Sequence, residues 1–154
     1  MTGFESTKRI LVADDDPIFL DLFEASLAAS SFEVVAVGDG AEAMLSLEAQ
    51  PFDMAVIDVD MPIIDGVRLI ALIRATPHLR TLPIVVITSM RSSRIKDECL
   101  RMGADDFMTK PVDWGLLAQR LEGVLGAGMT QVMQGSPAEG GPGRLPASSI
   151  SSVS

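Results

Sequence analysis

The chain has 154 residues, enough for one domain with a core of ordinary size, and its 47% apolar content supports a globular fold. A formal net charge of −9 argues against nucleic-acid binding through this chain alone, because phosphate contacts need Lys and Arg, and it disfavours an anionic membrane surface. The single cysteine, Cys99, rules out an internal disulfide and a thiolate metal set. With no run of membrane-spanning length and no secretory leader pattern, the expectation is a soluble cytoplasmic protein.

Residues 1–7 are a polar lead-in, expected to be flexible. Lys8-Arg9-Ile10-Leu11-Val12-Ala13 predicts a buried strand that runs directly into Asp14-Asp15-Asp16-Pro17. Asp16 suits an N-cap and Pro17 the first helical position, where its missing N–H has no bond to make. The helix is predicted over 17–30, with Ile18, Leu22, Phe23 and Leu27 inward and Asp21 and Glu24 on the polar face. A second strand at 33–37 closes on Gly38-Asp39-Gly40, and a second helix at 41–50 puts Ala43, Met44 and Leu47 on one side.

Met54-Ala55-Val56-Ile57 is short and wholly apolar, which predicts a buried strand, and it ends on Asp58. A third helix at 66–75 stops at Thr76-Pro77, because the residue before proline avoids the helical region. A fourth strand at 83–88 ends on the hydroxyl of Thr88. The fourth helix, at 92–102, carries Ile95, Cys99 and Met102 on one stripe and stops at Gly103. A fifth strand at 104–110 ends on Lys110-Pro111, and Asp113 caps a last helix on which Leu117, Leu121 and Val124 share a face. From about Gly126 the composition turns to Gly, Ser, Pro and Ala, so 127–154 is expected to be a disordered tail or a linker. Five strands alternating with five helices through short connections predict an α/β fold, a doubly wound five-stranded parallel sheet with helices on both faces.

In such a sheet the carboxyl ends of the strands share one edge, where ligands bind. The first strand delivers Asp14 and Asp15 there, the third Asp58, the fourth Thr88 and the fifth Lys110. Carboxylates this close repel one another unless a cation intervenes. An oxygen-only acidic site suits Mg²⁺, with Mn²⁺ as an alternative. A lysine beside it neutralises a phosphoryl oxygen, a threonine hydroxyl hydrogen-bonds another, and a carboxylate attacks phosphorus to form an acyl phosphate. Taken singly, the same residues have plainer readings. Thr88 is then a strand-end hydroxyl, Lys110 a solvated charge, Phe107 plain core, Trp114 either packing or a partner contact, His78 a surface residue and Cys99 an inert core thiol.

Residues 8–126 resemble the receiver domain of two-component response regulators, the superfamily of chemotaxis-type regulators. The resemblance rests on Asp14-Asp15, on Asp58-Val59-Asp60-Met61-Pro62-Ile63-Ile64-Asp65-Gly66, on Ile87-Thr88-Ser89, and on Gly103 through Lys110-Pro111, all in order and each at a strand end. It implies the strand order 2-1-3-4-5 and Asp58 as phosphoacceptor. It also implies Mg²⁺ held by Asp15, Asp58 and the backbone carbonyl of Asp60, with Asp14 acting through water. Thr88 and Lys110 would bind phosphoryl oxygens, the Lys110–Pro111 bond would be cis, and Phe107 would turn inward with Thr88 as a switch. The fourth helix, fifth strand and fifth helix would form the output face. The implied partners are a histidine kinase or histidine phosphotransfer protein, contacted through 18–26, and a downstream protein or a C-terminal output domain. A homodimer on phosphorylation is a further expectation.

Two other readings compete. Asp58-Val59-Asp60 also resembles the opening of haloacid-dehalogenase-type aspartyl phosphatases, but there the nucleophile lies on the first strand and the acidic pair comes late, the reverse of the order here. A scaffold that has lost phosphorylation is the other, and it conflicts with all five chemical positions being present. Apart from its own phosphorylation and slow dephosphorylation, no enzyme activity is expected. The preferred organisation is a stand-alone receiver, ahead of the first part of a longer regulator.

Overall fold

The structure, a computed structural model, describes residues 7–134. Five strands, β1 (Lys8–Ala13), β2 (Phe32–Val37), β3 (Met54–Ile57), β4 (Ile84–Thr88) and β5 (Asp106–Thr109), alternate with five helices. The helices are α1 (Pro17–Leu27), α2 (Gly40–Ala49), α3 (Gly66–Ala75), α4 (Ser93–Met102) and α5 (Leu117–Gln134), and a 3-10 turn, Pro77–Leu79, follows α3. The sheet is parallel throughout, in the order β2-β1-β3-β4-β5. The doubly wound α/β fold expected from the alternation is the one observed. Among the described residues no helix is long and apolar enough to cross a membrane.

Strand side chains alternate between the two faces, so each central strand serves two cores. Leu11, Ala13, Ala55, Ile57, Ile84 and Val86 join Ala43, Leu47, Leu69, Ile70, Ile73 and Cys99 of α2, α3 and α4 in one core cluster. The intervening Ile10, Val12, Met54, Val56, Val85 and Ile87 are equally buried on the other face, as are Phe23 and Leu27 of α1. Because β1, β3 and β4 are buried on both faces, they read in sequence as continuous apolar runs.

Each turn from a strand into α1 to α4 is closed by a side-chain cap. Asp16 accepts from Ile18 N, Asp39 from Glu42 N, Asp65 from Arg68 N and Ser92 from Ile95 N. Glu42 reaches back to accept from Gly38 N at 2.9 Å, one residue before the cap, and so holds the turn from its other side. These caps sit at the edge where the strands end, and they make the loops there short and fixed. Two glycines bring the loops into backbone contact. A Cβ on Gly40 would collide with the Ile64 carbonyl oxygen, and one on Gly66 would collide with the Asp58 carbonyl oxygen and lie 2.7 Å from Val59 Cα.

The structure corrects several expectations. Ile18 and Leu22 of α1, inward by sequence periodicity, are 70% and 46% exposed, whereas Phe19, Phe23 and Leu27 are buried. The inward stripe is the i, i+4, i+8 row one residue further along the helix. α1 ends at Leu27 instead of Ser30, because the Ser30 N–H and hydroxyl both donate to the Leu27 carbonyl and end the helix in a turn. Met102 is exposed, while Cys99 is fully buried. β5 is shorter than 104–110, because Ala104 N donates to Cys99 O and so belongs to the close of α4, with Gly103 at φ +122°. α5 continues to Gln134, past the change of composition at Gly126. By internal contacts the chain divides into two units, Met1–Leu121 and Glu122–Ser154. The flexible start expected over 1–7 and the tail or linker expected over 127–154 lie outside the described residues, apart from Thr7 and the part of α5 up to Gln134.

Replacing Gly66 by alanine forces the start of α3 away from the Asp58 carbonyl. Gly66→Ala is expected to lower unfolding free energy by about 1–3 kcal/mol, the usual range for overpacking, read as a reduced urea midpoint at unchanged slope.

Candidate phosphorylation site

β1 and β3 are neighbours in register, Ala13 opposite Ile57, so the residues that follow them emerge side by side. Asp58 N donates to Ala13 O at 3.0 Å, which fixes the two strand ends against each other. Asp14 and Asp58 are both buried, at 1% and 6% exposure, and Asp15 is exposed beside them. One carboxylate oxygen from each of Asp14, Asp15 and Asp58 lies within 4.8 Å of the other two.

Lys110 reaches this group from the end of β5. Its Nζ lies 2.7 Å from Asp14 Oδ2 and 3.6 Å from Asp58 Oδ2, bridging the two buried carboxylates. The remaining oxygens are held by the backbone, with Asp16 N donating to Asp14 Oδ1 at 2.9 Å and Asp60 N to Asp58 Oδ1 at 3.4 Å. Burial pushes the Asp14 carboxyl above the ordinary carboxylate range, and the Lys110 and Asp16 N–H bonds only partly offset it. Burial also works against the Lys110 ammonium, but the Asp14 bond and the Asp58 charge outweigh it and hold its pKa above the usual lysine value.

Thr88 is fully buried at the end of β4, with its Oγ1 accepting from Met90 N at 3.3 Å. Its carbonyl accepts from Lys110 N at 2.9 Å, which ties the two strand ends together. The guanidinium of Arg91 donates to the Lys110 carbonyl at 3.0 Å, so the loop after β4 also grips the end of β5. The Lys110–Pro111 bond is cis. Phe107 is buried in the core cluster, and Asp60 is exposed at the rim. Ile63, in the loop after Asp58, holds φ +71° and is 75% exposed, an uncommon conformation for a β-branched residue.

The sequence-derived positions Asp14, Asp15, Asp58 and Lys110 thus meet at one place. Sequence reasoning missed Phe19, whose ring centroid lies 4.2 Å from Lys110 Nζ, and Arg91. The available signal for Phe19 was its spacing with Phe23 and Leu27. Trp114 is half-buried and packs on Phe19, with ring centroids 5.3 Å apart. Cys99 is buried, and burial with Glu98 and Asp65 nearby pushes its thiol up to about 11, which leaves it inert. His78 is an exposed residue of the 3-10 turn.

The donor set fits a hard divalent cation. All three side chains offer oxygen, two of them from buried residues and one from an exposed one, and three carboxylates stand against one ammonium.

Residues 10–122 match the family model for the response regulator receiver domain. The chain is 36% identical over 124 residues to the transcriptional regulatory protein PrrA of Mycobacterium tuberculosis, covering 80% of this chain and 52% of PrrA. It therefore spans about half the length of that curated relative. It is also 36% identical over 114 residues to the sensor histidine kinase GacS of Pseudomonas protegens, covering 72% of this chain and 12% of GacS. Among solved structures, the receiver domain of a sensor histidine kinase from Pseudomonas aeruginosa, described with a magnesium ion coordinated in its active site cleft, has a TM-score of 0.71. That match is at 30% identity and covers 77% of this chain and 98% of that one. A CheY-like response regulator receiver domain protein from Methanospirillum hungatei has a TM-score of 0.75 at 26% identity, covering 82% and 99% of the two chains.

The raised Asp14 carboxyl carries a definite sign. A carboxyl whose folded pKa lies above its unfolded value of 3.8 favours folding below that value, and the advantage is lost as pH rises through the folded pKa. Metal-free Asp14→Asn should therefore be more stable than the wild type at neutral pH. The difference should shrink as pH falls towards the ordinary carboxylate range, measured as urea midpoints across pH.

Proposed function

The chain belongs to the response regulator receiver family, and we propose that it is a phosphorylation-dependent switch of two-component signalling with Asp58 as its phosphoacceptor. The observation that carries this reading is the Lys110 ammonium bridging two buried carboxylates, Asp14 and Asp58, at adjacent strand ends. In the proposed reaction an Asp58 carboxylate oxygen attacks the phosphorus of a phosphohistidine on a kinase or phosphotransfer protein. The P–N bond breaks, its electron pair returns to the imidazole nitrogen, and an acyl phosphate remains on Asp58.

Asp15, Asp58 and the Asp60 carbonyl would hold Mg²⁺, or Mn²⁺ in its place, with Asp14 acting nearby. The cation supplies charge neutralisation for phosphoryl oxygens and for the crowded carboxylates. Lys110 and Thr88 take phosphoryl oxygens. For Lys110 this means exchanging the Asp14 carboxylate for a phosphoryl oxygen, and for Thr88 exchanging the Met90 N–H for a bond in which its hydroxyl donates. Because Thr88 and Lys110 share a backbone bond and Arg91 clasps the Lys110 carbonyl, a shift of the loop after β4 is felt at β5 and Phe107. The face of α4, β5 and α5 is then the output surface, acting on a downstream protein, on an output domain or on a second copy of the chain. The cytoplasm, where a kinase and its nucleotide meet, is the proposed location. An aspartyl phosphatase gains no support, since the fold and the order of its acidic residues are those of receivers.

Incubation with acetyl phosphate and Mg²⁺ should add one phosphoryl group by intact mass. The adduct should be absent without Mg²⁺ and absent in Asp58→Asn. In Lys110→Met the initial rate should fall roughly tenfold or more, as for loss of a charge-stabilising donor. No adduct on a folded wild type that binds Mg²⁺ would leave a silent scaffold, and sustained phosphate release over many turnovers would revive the phosphatase.

A further inference from the structure

Lys110 has a third neighbour that neither carboxylate chemistry nor the strand ends explain. Phe19 is 7% exposed, and Lys110 Nζ lies 4.2 Å from its ring centroid, within the range in which an ammonium is attracted to a ring face. The ring is itself held. Trp114, just beyond β5, packs on it at 5.3 Å and Phe23 at 6.1 Å, so the first turn of α1 presents a supported aromatic surface to the site. The Lys110 side chain is 19% exposed, which leaves the ammonium a route to water.

We propose that Phe19 is a positioning residue, whose ring face keeps the Lys110 ammonium over Asp58 when its bond to Asp14 is weakened. The inference rests on the phosphoryl chemistry proposed above. A divalent cation on the acidic cluster competes with the ammonium for the same oxygens and repels it. The ring has no such competitor. Its attraction is also weakly directional, so it holds the ammonium near Asp14 and near an incoming phosphoryl oxygen alike. A carboxylate partner would tie it to one of these. Without the ring, the cheapest response of Lys110 to a bound cation is to swing out into water.

This picture predicts two effects of opposite sign. In the full chain, Phe19→Leu keeps an apolar side chain and removes the ring. Phosphorylation by acetyl phosphate should slow roughly three- to tenfold, the span expected for a partly desolvated cation–ring contact. Mg²⁺ alone should bind about two- to threefold tighter by calorimetry, because the released ammonium no longer repels it. Phe19→Tyr, which restores a ring, should return both quantities to wild-type values. A packing defect instead weakens Mg²⁺ binding and phosphorylation together, or affects Leu and Tyr variants alike, and either result overturns the proposal. A third readout needs no variant to fold. The Lys110 side-chain methylene protons of the wild type should be shifted upfield by the ring in proton NMR, with and without Mg²⁺, and ordinary shifts would overturn the proposal. If the wild type gains no phosphoryl group, the functional reading fails. The Mg²⁺ titration and the ring shift still decide the role of Phe19.

Discussion

Two buried carboxylates on neighbouring strands are the constraint around which the rest of the site is arranged. Asp14 and Asp58 follow β1 and β3, two adjacent interior strands of the sheet, and both are nearly free of solvent. Ionised carboxylates in such a place are strongly destabilising unless paired. The compensating ammonium comes from β5, two strands from β3, and it reaches both oxygens because the Lys110 backbone is bonded to the end of β4. The order of the sheet therefore decides which charge faces which. With β1 and β3 adjacent at the centre the anions are forced together, and with β5 at the edge a long side chain is needed to span the distance.

Holding those groups in place falls to the loops, and the loops are fixed by contacts that tolerate little change. Gly66 lets the start of α3 rest on the Asp58 carbonyl, and Gly40 does the same for Ile64 and the start of α2. Asp65 caps α3 in the same loop. Between these anchors Ile63 is left with φ +71° and its side chain in solvent, an arrangement that costs about 1–2 kcal/mol for a residue with a Cβ. Neither burial nor a cap repays that strain. It is carried by the neighbouring anchors, which overdetermine the path of the chain.

The topology was legible in the sequence because alternation of apolar runs and helical stripes leaves few ways to bury both faces of a parallel sheet. Three of the four motif segments were legible for a related reason, since each sits where a polar residue interrupts an apolar run at the end of β1, β3 or β4. β5 is short and mixed, and its segment is marked by Lys110-Pro111 instead. What could not be read was helix phase. On α1, Ile18 and Leu22 are as apolar as Phe19 and Phe23, and composition cannot say which row meets the sheet. That choice depends on how Asp16 and Pro17 start the helix, which sequence periodicity resolves only to within a residue. β5 is shorter than its sequence suggests because Ala104 looks like the start of an extended run and is used, with Gly103, to close α4. α5 runs on to Gln134 across the glycines at 123, 126 and 128, which lower helix propensity without abolishing it.

The missed phase matters more than a boundary, because the row that faces inward supplies the site. A helix rotated by one residue would put Ile18 in place of Phe19 beside Lys110, and an aliphatic chain offers an ammonium no attraction. The electrostatics of the edge are thus set by two kinds of partner. Asp14 and Asp58 attract the cation strongly, but in the proposed switch they are also the groups that a metal ion and a phosphoryl group would claim. The Phe19 ring attracts it weakly and is claimed by neither. The proposed switch, built on exchange of charges, needs its mobile cation to change partners without escaping into solvent, and a weak attraction that persists through the exchange would supply that, where a stronger salt bridge would oppose it.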